Sequence, residues 1–264
     1  MFLLRKILDT YSQIDSRNNE SISGQILSHN RIIVTTIHPY SYIKLRKQIQ
    51  IVKELDFIFV DSSLMIRIID KILKKNYPSI CFNFTHISVR EKERFFAKEF
   101  FESLKVTDSL AIIGSEKKIC ENAAQNIQTN YKNSKIVYIS KGIFGKPEEM
   151  KIVLEEILVN KPTVIICGMG TILQESFLLA LKRKNWEGIG LCVGGFIHQI
   201  SKRLNYYPIL FEKMNIRWLF RILDEPRLLF RYILVYPFSV LVLIYDCLKL
   251  KISVGESNEL PEIV

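Results

Sequence analysis

The chain has 264 residues, of which 48% are hydrophobic, and it carries 37 lysines and arginines against 27 aspartates and glutamates. This composition excludes a wholly disordered chain, because it can bury a core in one large domain or in one domain with an appendage. The formal net charge of +10 favours a polyanionic partner: a nucleic acid, an anionic lipid surface, or a phosphorylated or diphosphate substrate.

The cysteines and the first residues indicate a cytoplasmic protein. The five cysteines are odd in number and form no C-x-x-C pair, so we expect neither disulfides nor a zinc site. No histidine has a matching cluster of ligand residues, so we expect no metal site of another kind. The start of the chain is too short and too soon charged for a signal peptide.

Short apolar runs alternate with amphipathic stretches along most of the chain. The runs predict strands at Ile32–Ile37, Phe57–Asp61, Ser79–Phe84, Ser109–Gly114, Lys135–Ser140, Thr163–Gly168 and Gly188–Val193. The stretches predict helices at Tyr42–Leu55, Ser63–Lys75, Arg90–Leu104, Glu116–Tyr131, Glu148–Val159 and Gln174–Lys184. This alternation indicates an α/β fold, with a Rossmann-like, mainly parallel sheet and helices on both faces. Such sheets bind ligands at the carboxyl ends of their strands.

Glycine marks three of the predicted strand ends. Gly168 and Gly170 follow one strand and precede Gln174 and Glu175, which we expect in the first turn of a helix. The other two glycine-marked ends are Gly114-Ser115 and Gly194-Gly195. Glycines at strand-to-helix turns let backbone N–H groups approach a phosphate. They also occur for geometry alone, so it is the three ends together that predict a phosphate-lined crevice.

Polar side chains mark two further strand ends. Asp61 follows the apolar run that begins at Phe57, where a carboxylate is well placed to be a general base. The alternative is an N-cap for the helix that begins at Ser63, and taken in isolation the residue fits that role better. Thr36 and His38 end the first predicted strand, and a lone histidine is more often a satisfied polar residue than a catalyst.

The segment from residue 206 onward has a different character. It shows helical patterns with cations and aromatic residues, which predict a helical appendage over residues 206–252 and a disordered tail over residues 253–264. Lys213, Arg217 and Arg221 recur every fourth residue, and cations beside apolar residues suit an anionic lipid surface. An ordinary helix packed on its own core is an equal alternative. The uncharged run from Tyr232 to Tyr245 is shorter than the about 20 residues that span a bilayer, so we expect a helix on, or partly in, the membrane surface.

The order of these strand ends and the basic close resemble the WecG/TagA/CpsF glycosyltransferases. The close of that family reads G-L-E-W-L-Y-R-L-x-x-E-P-x-R-L-x-R-R-Y, and the segment from Asn215 to Tyr232 follows it closely. The G-x-G-x-P-K-Q-E turn corresponds to Gly168–Glu175, the P-D-G segment to Val60-Asp61-Ser62, and T-L-N-P to Thr36–Pro39, with His38 in place of asparagine.

Several motif positions depart from the family, among them Ile172-Leu173 in place of the Pro-Lys pair and Ser62 in place of the glycine of P-D-G. The R-x-[ST]-G-x-D stretch falls on His86–Glu91 and lacks its arginine and glycine, with Val89 at the glycine position. His198 replaces the aspartate of G-G-x-F-D, and Arg217 replaces the glutamate before tryptophan. These changes bear on donor and acceptor identity and make the chain a divergent member.

The resemblance implies a GT-E-type fold and an inverting transfer from a UDP-sugar to a polyprenyl-diphosphate-linked glycan, with no cofactor or metal required. It further implies that the protein is cytoplasmic, lies on the inner face of the bacterial plasma membrane and takes part in envelope-polysaccharide synthesis. Asp61 is then the base, with Thr36 and Gln174 as further catalytic residues. The implied donor-binding residues are His38, Gly114, Ser115, Gly168, Gly170, Glu175, Gly194 and Gly195. His86 and Arg90 would stabilise the diphosphate, and the residues that face the membrane or the acceptor are Lys213, Arg217, Arg221, Arg227 and Arg231.

Two other functions compete with this one. A catalytically impaired scaffold on the same fold would account for the departures at His86, Val89 and His198. A nucleic-acid binder is weaker, because no recognised nucleic-acid motif occurs. A homo-oligomer is compatible with the sequence.

Overall fold

The computed structural model describes residues 1–15, 21–73, 96–214 and 216–257. The predicted strand Ser79–Phe84 and the residues His86, Val89 and Arg90 lie outside these ranges. The strands are β1 (Ile32–Ile37), β2 (Phe57–Val60), β3 (Ser109–Gly114), β4 (Lys135–Ser140), β5 (Val164–Gly168) and β6 (Ile189–Cys192).

Helices connect and surround these strands. They are α1 (Phe2–Asp15), α2 (Ile22–Leu27), α3 (Pro39–Leu45), α4 (Ile49–Glu54), α5 (Ser63–Leu73), α6 (Phe96–Glu102), α7 (Lys117–Asn130), α8 (Pro147–Asn160), α9 (Leu173–Arg183), α10 (Phe196–Lys202), α11 (Ile209–Lys213), α12 (Arg217–Asp224) and α13 (Tyr236–Ser257). A 3-10 turn at Pro226–Leu228 and a π-helical turn at Arg231–Val235 join the last two helices.

The described strands form one parallel sheet in the order β2-β1-β6-β5-β3-β4. The predicted α/β class is therefore confirmed, and β1, β3 and β4 have the predicted bounds. Each central strand is buried along most of its length, which explains why the strands read as continuous apolar runs rather than as alternating ones.

One predicted helix is wrong in its extent. The stretch Tyr42–Leu55 forms two short helices, α3 and α4, separated by a turn. The turn follows Arg46, whose Nε and Nη2 donate to the carboxylate of Asp246 in α13 over 2.6 and 2.8 Å. The break between α3 and α4 thus coincides with a tertiary contact between Arg46 and Asp246, which the periodicity of the stretch does not predict.

Helix α1 covers the outer side of β2. The hydroxyl of Thr10 accepts a hydrogen bond from the N–H of Ile58 over 3.0 Å, and the hydroxyl of Tyr11 accepts one from Val60 over 3.2 Å. These bonds satisfy backbone donors that would otherwise be unpaired on that side of the strand. Helix α1 was not predicted from the sequence, although its buried residues recur at helical spacing: Leu3, Leu4, Ile7, Leu8, Tyr11 and Ile14.

Helix α13 packs against α3 and α5 with one face only. On that face Asp246 is 1% exposed and accepts a hydrogen bond from the hydroxyl of Tyr42 over 2.7 Å, besides those from Arg46. The amino group of Met1 lies 3.5 Å from the same carboxylate. We call this cluster of Met1, Tyr42, Arg46 and Asp246 the Asp246 clasp. It fixes the C-terminal helix to the α/β domain, and the helix extends to Ser257, past the expected boundary at residue 252.

Candidate active site

The strand register places two predicted site residues side by side. Ile37 at the end of β1 pairs with Val60 at the end of β2. The backbone N–H of Asp61 then donates to the carbonyl of Ile37 over 2.7 Å. Asp61 and His38 therefore leave the sheet at the same level, on neighbouring strands.

Asp61 lies in an environment that suits a general base. Burial raises the pKa of its carboxyl group to about 7, with the positive charge of Arg217 acting in the opposite direction. A base with a pKa near the working pH is the most effective one for removing a proton. The alternative role as helix cap is taken by the neighbouring residue, because the hydroxyl of Ser62 accepts a hydrogen bond from the N–H of Met65 over 3.4 Å.

Three tyrosines from the appendage lie near enough to this carboxylate to be affected by its charge. Burial raises the pKa of Tyr207, Tyr232 and Tyr236, and the negative charge of Asp61 contributes to each increase. The appendage therefore approaches Asp61. These tyrosines were not predicted from the sequence, because they lie far from Asp61 along the chain.

Glycines line the neighbouring strand ends. A Cβ atom on Gly114 would lie 2.6 Å from the carbonyl oxygen of Gly168, and one on Gly168 would lie 2.8 Å from that of Gly194. Glycine is therefore required where β3, β5 and the turn after β6 meet. Gly170 and Gly194 have φ angles of +85° and +53°, and a Cβ atom added to either would have no neighbour within 4 Å. Their backbones are thus open to a ligand from that side.

A fourth strand end is marked by a glycine that was not predicted to belong to the crevice. Gly142 follows β4, and its N–H donates to the carbonyl of Ser115 over 3.0 Å. A Cβ atom there would lie 2.4 Å from the Cα of Gly114. This close approach brings the loop after β4 onto the end of β3, and Ser115 itself has a φ angle of +53°.

Gln174 and Glu175 lie behind the crevice in this structure. Gln174 is 2% exposed, and its Oε1 accepts a hydrogen bond from the N–H of Gly194 over 3.3 Å. Glu175 is fully buried and accepts hydrogen bonds from Thr35 over 2.7 Å and from the N–H of Ile172 over 2.6 Å. The two side chains hold the crevice turns in place, and their direct contact with a donor stays a prediction.

The turn that Glu175 holds is strained. Ile172 has a φ angle of 82°, which is a genuine outlier for a β-branched residue. Strain of this kind persists only where the surroundings determine the conformation, and here the bond to Glu175 supplies that constraint. The strained turn begins at Gly168, so it shapes the rim of the glycine-lined crevice.

Thr36 and His38 stand on the Asp61 side of the crevice. The hydroxyl of Thr36 donates to the carbonyl of Cys192 over 3.2 Å, which links β1 to β6. The ring of His38 is half-buried between the rings of Tyr40 and Tyr236. Burial, together with the charges of Arg231 and Arg221, lowers the pKa of His38 to about 4.

The basic residues of the appendage do not share one helix face. Lys213 belongs to α11, whereas Arg217 and Arg221 belong to α12 and are half-buried. The prediction of one stripe from Lys213 to Arg221 is therefore wrong, because the chain leaves the helical conformation between them. Arg217 lies over the ring of Tyr207, and the Nη2 of Arg221 is 3.1 Å from the Cβ position of Gly195.

The two remaining predicted arginines, Arg231 and Arg227, differ from each other in where their side chains lie. Arg231 lies over the ring of Tyr40, 4.1 Å from its centroid. The side chain of Arg227 is 79% exposed and pairs with Glu225 over 2.8 Å. Three of the appendage arginines thus point inward to the crevice walls, at Tyr207, Gly195 and Tyr40.

A group of possible metal ligands lies where α10 meets the end of α12. His198, Asp224 and Glu225 bring ligand atoms within 4.8 Å of one another. Their carboxylates already have cationic partners: Lys202 contacts Asp224, and Arg221 lies 2.7 Å from Glu225. A divalent cation would be repelled by the positive charges of Lys202 and Arg221. The arrangement therefore favours an ion-pair network that joins the appendage to α10.

Comparison with known proteins agrees with this geometry. The family described as "Glycosyl transferase WecG/TagA/CpsF family" matches residues 10–252. A UDP-Gal:alpha-D-GlcNAc-diphosphoundecaprenol beta-1,4-galactosyltransferase of Shigella boydii is 29% identical over 217 residues, covering 81% of this chain and 87% of the relative. An N-acetylglucosaminyldiphosphoundecaprenol N-acetyl-beta-D-mannosaminyltransferase of Staphylococcus aureus (strain NCTC 8325 / PS 47) is 25% identical, covering 43% of this chain and 44% of the relative. The chain belongs to the WecG/TagA/CpsF family of glycosyltransferases.

Proposed function

We propose that the protein transfers a sugar from a UDP-sugar to a polyprenyl-diphosphate-linked saccharide, with inversion at the anomeric carbon. The observation that carries the proposal is the position of Asp61, which follows β2 at the same edge of the parallel sheet as the glycine turns after β3, β5 and β6, and whose pKa is raised by burial to about 7. The names of the two relatives, one acting with UDP-Gal and both on diphosphoundecaprenol-linked GlcNAc, support the two substrate classes.

Asp61 would act on the acceptor hydroxyl. As the hydroxyl oxygen attacks the anomeric carbon, Asp61 takes its proton, and the bond from that carbon to the diphosphate oxygen breaks. The electron pair of that bond leaves with UDP. A single displacement of this kind inverts the anomeric configuration, and it needs a base on the acceptor side only.

The negative charge of the leaving diphosphate would be met by backbone and side-chain groups of the crevice. Gly170 and Gly194 leave space for a ligand beside their backbone atoms, and Arg221 stands next to Gly195. Oriented donors and cations that act where charge develops are usually the largest contribution to catalysis. We propose that these groups suffice without a metal ion.

A transfer assay tests the proposed function. Purified protein is incubated with a panel of UDP-sugars and a synthetic GlcNAc-diphosphate-polyprenyl acceptor, with and without EDTA. We expect one donor to give a lengthened lipid-linked product, equally well in EDTA, with an NMR-defined linkage of inverted configuration. Binding of UDP without turnover of any donor would instead favour the scaffold function, and a retained configuration would remove the single-displacement mechanism.

The C-terminal helical segment is suited to bring this crevice to a bilayer on its cytoplasmic side. The segment from Pro226 to Ser253 is long and apolar enough to cross a membrane, by length and composition. Only 17% of its most apolar 18-residue stretch is buried inside the protein. Its other face is held to the α/β domain by the Asp246 clasp. We therefore propose that the segment lies along the membrane surface. Its exposed apolar side chains include Leu229, Phe230, Ile233, Leu234, Phe238, Leu241, Tyr245, Leu248 and Ile252.

We expect the double substitution Phe238→Glu and Leu241→Glu to weaken binding to vesicles of anionic phospholipid about 100-fold. The reason is that burial of each large apolar side chain contributes about 1.5–3 kcal/mol, and the new carboxylates are repelled by the lipid. Vesicle co-sedimentation measures the partition coefficient. Val106→Glu with Val159→Glu is the matched control, because these residues are 78% and 80% exposed on other parts of the chain. Equal binding of the two double variants would contradict the proposed membrane face.

A further inference from the structure

The guanidinium group of Arg221 lies beside the turn that follows β6. A Cβ atom on Gly195 would lie 3.1 Å from its Nη2 and 3.8 Å from its Cζ, so the absence of a side chain at Gly195 allows this approach. The adjacent Gly194 has a φ angle of +53°, and a Cβ atom added there would have no neighbour within 4 Å. The cation therefore lies next to backbone that is open to a ligand.

Glu225 contacts this guanidinium from the side of the appendage. Its Oε1 lies 2.7 Å from Nη2 of Arg221, and the side chains of Glu225 and Arg221 are only 10% and 11% exposed. Pro226 disfavours a helical conformation at the residue before it, and Glu225 has φ and ψ angles of −133° and 83° where α12 ends. The N–H of Glu225 still donates to the carbonyl of Arg221 over 2.8 Å. The two residues therefore lie one helical turn apart, at the spacing that lets side chains of opposite charge pair.

Tyr206 supplies a second contact to the same guanidinium. Cζ of Arg221 lies 5.5 Å from the centroid of the Tyr206 ring, and Nη1 donates to the Tyr206 hydroxyl over a long distance of 3.5 Å. The phenol is 2% exposed and donates to the carboxylate of Asp224. The Arg221 side chain has no further hydrogen bond or ion pair within the described part of the chain. Because a guanidinium has about five N–H donors, these contacts leave donors for a ligand beside Gly195.

The junction around Glu225 carries more cations than carboxylates. Glu225 pairs with Arg221 and with the exposed Arg227, and Asp224 pairs with Lys202. Three cations thus pair with two carboxylates, and the net positive charge favours an anion beside them. Glu225 itself reduces the attraction of Arg221 for an anion, but it shares its charge with Arg227.

We propose that Glu225 is a positioning residue, which holds the guanidinium of Arg221 at the turn of Gly194 and Gly195, where that cation binds the diphosphate of the donor. The inference rests on the proposed function and deepens it, since it assigns to Glu225 a role that acts only through Arg221. An arginine side chain loses much rotamer freedom when a ligand orders it. A carboxylate that orders it beforehand lowers this cost of binding.

Binding of UDP and of uridine tests the positioning role without reference to sugar transfer. Titration followed by ligand-observed NMR measures both affinities for the full chain, and uridine lacks the phosphates that Arg221 would bind. We expect Glu225→Gln, which keeps the shape of the side chain but removes its charge, to weaken UDP binding about 10-fold, the effect of one lost contact to a charged group. Uridine binding should stay unchanged. Glu54→Gln is the matched control, because it removes a carboxylate that pairs with Arg183, and it should change neither affinity.

A double-mutant cycle tests whether Glu225 acts through Arg221. Arg221→Ala should weaken UDP binding at least as much as Glu225→Gln does, and the combined variant should bind UDP as Arg221→Ala does. Three results would each overturn the proposal: unchanged or tighter UDP binding in Glu225→Gln, an equal loss of UDP and uridine binding in that variant, or a further loss of about 10-fold in the combined variant.

The proposed function can fail separately from this inference. A wild type that binds UDP with the expected dependence on Glu225 and Arg221 but transfers no sugar would contradict the proposed function and support the positioning role. A wild type that transfers sugar while Glu225→Gln binds UDP normally would do the reverse. A wild type that binds no UDP would contradict both.

Discussion

We expect Asp61→Asn to lower kcat by about 1,000-fold while UDP binding and the fold are retained. A positioned general base contributes about 10²- to 10⁴-fold to a rate, and asparagine keeps the shape of the side chain but cannot take a proton. Single-turnover transfer measures the chemical step, and calorimetric titration with UDP measures binding. Ser62→Ala is the matched control, since it changes the adjacent residue that caps α5 without removing the carboxylate.

The same carboxylate defines the expected pH dependence. Because burial raises the pKa of Asp61 to about 7, the active carboxylate form grows as the pH rises through 7, and kcat/KM should rise with it. Asp61→Asn should lose this dependence along with the rate. A flat profile between pH 5 and pH 8 in the wild type, or retained turnover in the variant, would assign the proton transfer to another group.

The stabilities of the wild type and of Asp61→Asn should differ in the direction opposite to their activities. An acid whose pKa is raised on folding favours the folded state below its ordinary pKa of 3.8, and this contribution is lost as the pH rises through about 7. The asparagine variant avoids the buried charge, so its Tm at pH 8 should equal or exceed that of the wild type. A higher Tm of the wild type at pH 8 would contradict this expectation.

The second large effect concerns the Asp246 clasp. We expect Asp246→Ala to lower the free energy of unfolding by about 3–5 kcal/mol, because removal of one partner leaves a buried group without compensation. For a chain of this size that is a decrease in Tm of about 10 °C. Arg46 and Tyr42 would lose their shared acceptor, while α13 would keep its hydrogen bond from the hydroxyl of Ser239 to the carbonyl of Pro39 in α3. Thermal unfolding followed by circular dichroism measures the change.

Two comparisons sharpen this test. Glu54→Ala removes an ion pair to Arg183 whose side chains are 40% and 63% exposed, and an exposed pair of this kind contributes at most about 1 kcal/mol. The wild type should also lose the clasp in acid. Burial acts to raise the pKa of Asp246, but the hydrogen bonds from Arg46 and Tyr42 outweigh it and the pKa is lowered. The contribution of the clasp to stability is therefore present above pH 3.8 and is lost as the pH falls through the lowered pKa. Equal Tm values for the two alanine variants would contradict the role of the clasp.

Local sequence signals predicted much of the fold. The apolar runs at β1, β3 and β4 matched the observed bounds, because a strand buried on both faces needs apolar residues throughout. Asp61 and the glycines were found for a related reason. In a parallel sheet the residues after each strand come to one edge, so position in the pattern is enough to bring them together.

Other features of the site depend on contacts that no local pattern contains. The approach of Arg221 to Gly195 and of three tyrosines to Asp61 arises only when the appendage packs on the α/β domain. The break between α3 and α4 accompanies the ion pair of Arg46 with Asp246 in the same way. The hydrogen bond that Gln174 accepts from Gly194 is also a tertiary contact, and its contact with the sugar stays a prediction.

The sequence by itself determined the α/β class, the level of the strand ends and the family resemblance of the basic close, since each of these follows from the order and periodicity of residues along the chain. Only the tertiary structure decided what the close does at the crevice. Its residues Arg217, Arg221 and Arg231 turn toward Tyr207, Gly195 and Tyr40, while Asp246 of α13 fixes that helix to the domain and an apolar face of the helix stays exposed. These directions are set by which surfaces are buried together, and burial is a property of the packed chain rather than of any one segment.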